Sequence, residues 1–280
     1  MAAIVSHTGY IAMLDTHDSH FSYSHILMPG IAAGNLELAV ARTAEELEAL
    51  QRLRYAVFSE EMSAVFPDAA DGIDADDYDP WCEHLMVREQ ASGRVVGTYR
   101  LLTPVNAAHV GGYYSESLFD LSGLGSRRDQ VIELGRSCIH PDYRNGVVIM
   151  LLWAGIASIV KHLKLRYVLG CASVSLRDGG ATAAHVWSEA QRDMQRSPQL
   201  PRLHPHHPYP VDRLTDSLPA RTPPLIKGYL KAGARICGAP AWDPDFNTAD
   251  FPVFLDVDDM DPRYRRHFGI EWIRRPRASH

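Results

Sequence analysis

One stretch constrains the architecture more than any other. Val131 to Ile139 reads as a strand, a turn follows at His140-Pro-Asp-Tyr-Arg-Asn-Gly146, an apolar helix runs from Arg144 to His162, and Tyr167 to Ala172 reads as a second strand. Strand, helix and strand make a crossover unit, and such units favour parallel pairing of their two strands. The helix carries the longest apolar run in the chain, Val147 to Val160. At about fourteen residues this run suits a buried core helix, because a bilayer span needs about twenty. The turn before it is chemically useful. A helix N-terminus exposes unpaired N–H groups and the positive end of the dipole, so it can receive a phosphate, and Arg144 adds a mobile charge beside Asn145 and Gly146.

The other periods extend this unit into a domain. Leu36 to Arg42 alternates as a strand, Thr43-Ala-Glu-Glu46 is a capping box, and Leu47, Leu50, Leu53 and Val57 recur at helical spacing. Glu83 to Arg88 and Val95 to Leu102 form a hairpin around Ser92-Gly93, and a long loop leads from there to Val131. Past residue 178 the expectations are a helix near Ala181 to Gln195, a Pro- and His-rich loop from Ser197 to Pro224, and a helix from Leu225 to Ala234. A last strand around Phe251-Pro-Val-Phe-Leu255 and a basic helical turn from Pro262 to Phe268 close the chain. A length of 280 residues fits one α/β domain with extensions: an irregular arm over 1–34, a core over 35–178 and a C-terminal extension over 179–280.

Charge and cysteine usage narrow the function classes. A formal net charge of −6 gives no overall attraction to nucleic acid, whose binding needs clustered Lys and Arg. Cys82, Cys138, Cys171 and Cys237 form no CxxC pair, which argues against a zinc site or a disulfide framework and fits a reducing cytoplasm. The first cation is Arg42, so the N-terminus lacks a basic leader region and export is not expected; peripheral contact with the inner membrane face stays open. His204-Pro-His-His207 invites a metal reading, but solvated histidines in a Pro-rich loop are the better one, and no metal is expected.

Two upstream features point to a site. Arg54, Phe58 and Glu61 fall on one helical face, consistent with a site wall or with a solvated ion pair. Asp68 to Asp79 packs six aspartates into twelve positions, a strongly negative loop. An EF-hand is rejected, because counting from Asp74 the loop lacks the glycine at its sixth position and has Leu85 at its twelfth. Asp74, Asp77 and Asp79 can instead hold the ammonium groups of a basic amino acid, or the loop is merely solvated.

The strand, the His-Pro-x-Tyr-Arg-x-Gly turn and the apolar helix closely resemble the acyl-carrier-binding segment of the GNAT superfamily. That resemblance implies an α/β GNAT-like acyltransferase fold, with a central mixed, mostly antiparallel sheet flanked by helices and a parallel splayed pair at the acyl-carrier site. It also implies that the donor's arm runs along Ser137, Cys138 and Ile139 and that its phosphate meets Arg144, Asn145 and Gly146. Val147 and Ile149 stand where spaced glycines are usual, which weakens a pyrophosphate cradle and favours acyl carrier protein over coenzyme A.

Arg54 and Phe58, the Asp-rich loop through Tyr78-Asp79, His84-Leu85, Gly97 to Leu102 and Glu133 to Ser137 together resemble the acyl-homoserine-lactone synthases and, more closely, the ornithine N-acyltransferases of ornithine lipid synthesis. The second resemblance also covers Gly112 to Ser117, Arg144 to Gly146, Pro223 to Tyr229 and Asp243 to Thr248. It implies transfer of a 3-hydroxylated fatty acyl group from acyl carrier protein to the α-amine of an amino acid, ornithine first, with no permanently bound cofactor. The donor's acyl-phosphopantetheine acts as co-substrate. Acyl-homoserine-lactone synthesis, another acceptor such as glycine, and a non-catalytic carrier-binding module are the alternatives.

Amine attack on a thioester needs a neutral amine, a polarised carbonyl and a stabilised thiolate. Glu133 is the first choice of base, against a purely structural ion pair with Arg136 or Arg100. Arg100 and Arg136 suit the substrate carboxylate, and Tyr143 or a backbone N–H near Ser137 and Cys138 suits the oxyanion and leaving thiolate. Cys138 as nucleophile is disfavoured, since direct transfer needs none.

Overall fold

The computed structural model describes residues 31–62, 72–211 and 221–268. The N-terminal arm up to residue 30, Asp68 and Asp71 of the acidic loop, and residues 269–280 lie outside the described residues. In chain order the strands are β1 (Ala32–Ala33), β2 (Leu36–Val40), β3 (Glu83–Glu89), β4 (Val95–Leu102), β5 (Phe119–Asp120) and β6 (Val131–Ile139), followed by β7 (Tyr167–Ser175), β8 (His204–Pro205), β9 (Arg235–Ile236), β10 (Ala241–Asp243) and β11 (Thr248–Asp256). The helices are α1 (Ala44–Met62), α2 (Pro104–Val110), α3 (Val147–Leu163), α4 (Ala181–Arg196), α5 (Pro224–Ala232) and α6 (Pro262–His267).

Eight of the strands line up as β1-β2-β3-β4-β6-β7-β11-β10, with β9 pairing β11 off that path, while β5 and β8 form a separate pair. Every contact in the large sheet is antiparallel except β6 with β7. Strands from beyond residue 178 therefore complete the same sheet as those of the core.

Alternation along β4 and β6 sorts side chains onto two faces. Tyr99, Leu101 and Ile132 pack in the cluster that contains Leu151, Leu152, Ile156 and Ile159 of α3. Arg100 and Glu133 therefore face the opposite side, as the two-residue strand period requires. Cys138 packs there with Leu53, Val57 and Phe58 of α1. Two glycines let α3 approach closely. A Cβ at Gly97 would lie 2.4 Å from Val148 Cγ1, and one at Gly155 would lie 2.9 Å from Leu38 Cδ2 and Leu85 Cδ1.

Two expectations change. The helix expected from Arg144 begins at Val147, because Pro141–Tyr143 forms a 3-10 turn and Gly146 takes φ 93° ahead of the first helical residue. The expected loop between β4 and β6 holds α2, capped by Thr103, whose side chain accepts from Asn106 N–H, and 3-10 turns at Tyr114–Ser117 and Ser122–Gln130. No helix among the described residues is long and apolar enough to cross a membrane.

Candidate active site

β6 and β7 pair only from Val131↔Tyr167 to Leu134↔Gly170 and then separate. Across its other edge β6 pairs β4 with a register shift between Thr98 and Arg100, opposite a left-handed Arg136 at φ 49°. A bulge of this kind bends its strand and redirects a side chain. Beyond Leu134 a cavity of ≈ 150 Å³ opens, lined by Glu133, Arg100, Arg136, Ser137, Tyr114 and Asp250, among others. An apolar cavity of ≈ 110 Å³ between α3 and the sheet is lined by Trp153, Ile156, Val160 and Val253. Tyr99, Leu134, Cys171, Ala172 and Tyr229 line both, so the two spaces share a wall.

Glu133 is 5% exposed and forms no ion pair among the described residues. Tyr114 N–H donates to its Oε2 at 2.7 Å, and Ser115 donates to Oε1 through its N–H at 2.8 Å and its hydroxyl at 2.5 Å. Burial pushes its pKa above the ordinary carboxylate value, against the opposing pull of the Ser115 and Tyr114 donors and of Arg100. The ion pair weighed for Glu133 is thus replaced by a 3-10 turn from the segment between β4 and β6, which orients the carboxylate without neutralising it.

The arginines are held by the acidic loop. Arg54, fully buried, donates from Nε to Asp74 Oδ2 at 2.9 Å and from Nη2 to Asp79 Oδ2 at 2.7 Å. Arg100 Nη1 reaches Asp76 Oδ1 at 2.5 Å and Asp79 Oδ1 at 2.8 Å. Arg136 Nη2 reaches Asp76 Oδ2 at 2.9 Å, and its Nε lies 3.3 Å from Asp74 Oδ2. Arg136 also sits over the rings of Tyr114 and Phe246, at 5.2 and 5.1 Å from their centroids. Three aspartates thereby balance three arginines in a largely dry network, where mutual attraction offsets the cost of desolvation.

Several expected site residues therefore stand elsewhere. Asp74, Asp79 and Arg54 do not line the cavity, because they are consumed by one another behind its wall, and Asp77 is exposed outside it. Phe58 does line it, edge-on to Phe246 at 5.9 Å. Tyr143 lies outside both cavities and donates to Glu89 Oε1 at 2.7 Å. Hydroxyls that do reach the junction are those of Tyr99 and Tyr229, 2.5 Å apart, and Ser137 lines the polar cavity with them. Cys138 is a buried small hydrophobe against α1. At the turn, Arg144 donates from Nε and Nη2 to the Ile139 carbonyl at 3.1 and 2.9 Å, and Asn145 Oδ1 accepts from Val147 N–H at 3.1 Å.

Asp243, Asp250, Ser115, Tyr99 and Tyr229 carry site geometry that no sequence expectation assigned. Signals existed for four of them, since Tyr99, Ser115, Tyr229 and Asp243 sit within the family-like segments Gly97 to Leu102, Gly112 to Ser117, Pro223 to Tyr229 and Asp243 to Thr248, and Asp250 alone lies outside them.

Comparison with known proteins follows the same lines. The Acetyltransferase (GNAT) domain model matches residues 53–154, from α1 into α3. The L-ornithine N(alpha)-acyltransferase of Rhodobacter capsulatus is 34% identical over 83% of this chain and 94% of its own length. Its Agrobacterium fabrum counterpart is 37% identical over 85% of this chain and 86% of its own. Among solved structures, BjaI, a CoA-dependent acyl-homoserine lactone synthase with MTA, matches with a TM-score of 0.47 at 17% identity over 84% of each chain. The mostly antiparallel sheet with its one parallel pair, flanked by helices, is a GNAT-like acyltransferase fold.

Proposed function

The chain belongs to the L-ornithine N(alpha)-acyltransferase family, and from that premise we propose that it moves a 3-hydroxylated fatty acyl group from acyl carrier protein to the α-amine of L-ornithine, the first step of ornithine lipid synthesis. The observation that carries the reading is the shared wall: a polar cavity holding Glu133 adjoins an apolar one at the point where β6 and β7 part. A thioester seated at the junction puts its chain among Trp153, Ile156 and Val160 and leaves its carbonyl toward Glu133.

In this reading Glu133 takes a proton from the acceptor's ammonium group, and its raised pKa brings it closer to that of the amine it must deprotonate. The neutral amine attacks the thioester carbon, the carbonyl oxygen takes up the charge, and collapse expels the carrier's thiolate, which takes up the proton that the nitrogen loses as the amide forms. The Tyr99, Tyr229 and Ser137 hydroxyls are placed to donate to the oxyanion or the departing sulfur. They take over the role first considered for Tyr143. Arg136 donates Nη2 to Asp76 and holds Nε 3.3 Å from Asp74 Oδ2 without a hydrogen bond, which leaves Nη1 for the acceptor's carboxylate.

The donor's single phosphate is assigned to the Arg144-Asn145-Gly146 turn and the first turn of α3. Acyl carrier protein is preferred over coenzyme A because Val147 and Ile149 replace the small residues a pyrophosphate would need. Steady-state kinetics with matched acyl-carrier and acyl-CoA donors tests this. The carrier thioester should show the higher kcat/KM, and Arg144→Ala should raise the donor KM about tenfold while kcat stays within about twofold. An unchanged donor KM, or a preference for acyl-CoA, contradicts the assignment.

A further inference from the structure

We propose that Asp243 and Asp250 recognise the second ammonium group of the acceptor and so select a diamino acid over a monoamino one; this rests on the acceptor reading above. The acidic loop, expected to supply that recognition, has its buried carboxylates engaged by Arg54, Arg100 and Arg136. Among the described residues, the carboxylates that line the reaction cavity are Glu133, Asp243 and Asp250. Glu133 lies on β6 and Asp250 on β11, with β7 between them, so the two approach the cavity from different strands and can address separate groups of one molecule.

The two aspartates are built into the wall. Asp243, 8% exposed, closes β10, and its Oδ1 accepts from Asp245 and Phe246 N–H at 3.1 Å each. Asp250, 4% exposed, pairs in register with Ser173 of β7 and accepts from Thr248 Oγ1 at 3.0 Å. Among the described residues neither forms an ion pair, whereas Asp74, Asp76 and Asp79 all do. Buried anions normally carry a partner cation, and without one the cost of desolvation stands uncompensated. Burial raises both carboxyls, with Asp245 adding to it at Asp243 and Asp243 adding to it at Asp250, which rises to about 6 although the Arg136 charge pulls both the other way. An incoming ammonium group supplies the missing charge through charge-assisted hydrogen bonds, and a neutral methyl at the same place does not. The recognition involves no bond making, so it acts on binding and orientation and leaves the chemistry to Glu133.

The test compares ornithine with norvaline, which lacks only the second amine, in the wild type and in Asp250→Asn and Asp243→Asn. Thiol release from an acyl-carrier thioester is the readout, and calorimetric ornithine binding is measured separately. Both substitutions keep an oxygen acceptor for the local turn and strand bonds, and a thermal melt confirms folding of each variant. The wild type should favour ornithine in kcat/KM, and the ratio should fall about 10- to 100-fold in Asp250→Asn, through ornithine KM and binding, with a smaller fall in Asp243→Asn. Variants that keep the wild-type ratio overturn this inference alone. A wild type that acylates no ornithine overturns the acceptor reading and this inference with it.

Discussion

Arg54 is the largest fully buried side chain among the described residues, and its charge is tolerable only because Asp74 and Asp79 lie against it. Arg54→Met leaves those carboxylates buried with one cation fewer, and we predict a loss of about 3–5 kcal/mol, read from denaturant unfolding. A loss below about 1 kcal/mol would show that the network does not hold the wall. Glu133 gives a second residue-scale prediction. Its folded-state pKa lies above the ordinary carboxylate value, and a base must be ionised to act, so kcat falls as pH drops through that raised value. Glu133→Gln should lower kcat at least about tenfold and remove the acid limb of the profile. Retention of that limb would assign it to another group. Asp250 carries the opposite trade. A carboxyl whose pKa is raised on folding contributes its stability while protonated and loses it as pH rises from the unfolded value towards about 6. Asp250→Asn should therefore raise the melting temperature at pH 7 relative to wild type and change it little at pH 4, while it costs acceptor selectivity. Equal shifts at the two pH values would contradict the linkage.

At the scale of elements, the site exists because β6 and β7 stay together through Leu134↔Gly170 and then part. Gly170 marks the last close approach: a Cβ there would lie 2.7 Å from the Leu134 carbonyl oxygen. Gly170→Ala should force the pair apart early and destabilise the fold by about 1–3 kcal/mol in urea unfolding, with loss of transfer activity; an unperturbed variant would mean that the pair has slack. Much of this layout could be read from the chain. β6, α3 and β7 follow from an apolar run preceded by the Pro141 and Gly146 turn, and the capping box at Thr43 marks the start of α1. The segment from Thr103 to Gln130 could not be read as easily, because short 3-10 turns have no sustained period; Thr103-Pro104, an N-cap followed by proline, was the one available signal. The bulge at Arg136 depends on tertiary pairing with β4 and leaves no local mark. The same holds for the sorting of the carboxylates. Composition shows a negative loop, and only the fold reveals that Arg54, Arg100 and Arg136 consume it while Asp243 and Asp250 enter the cavity.

For the whole molecule, strands from beyond residue 178 complete the sheet, and α5 brings Tyr229 to the wall shared by the two cavities. The two adjoining cavities run from α3 to the β10–β11 hairpin, which is the path we propose for donor chain, thioester and acceptor. In the proposed reaction the reacting groups meet at Glu133. The direct measurement incubates the purified 280-residue chain with a 3-hydroxyacyl carrier thioester and L-ornithine, follows thiol release, and identifies the product by tandem mass spectrometry. Ornithine-dependent thiol release and an amide on the α-nitrogen are the expected result. No thiol release with ornithine, or acylation of the side-chain amine alone, would contradict the proposed reaction.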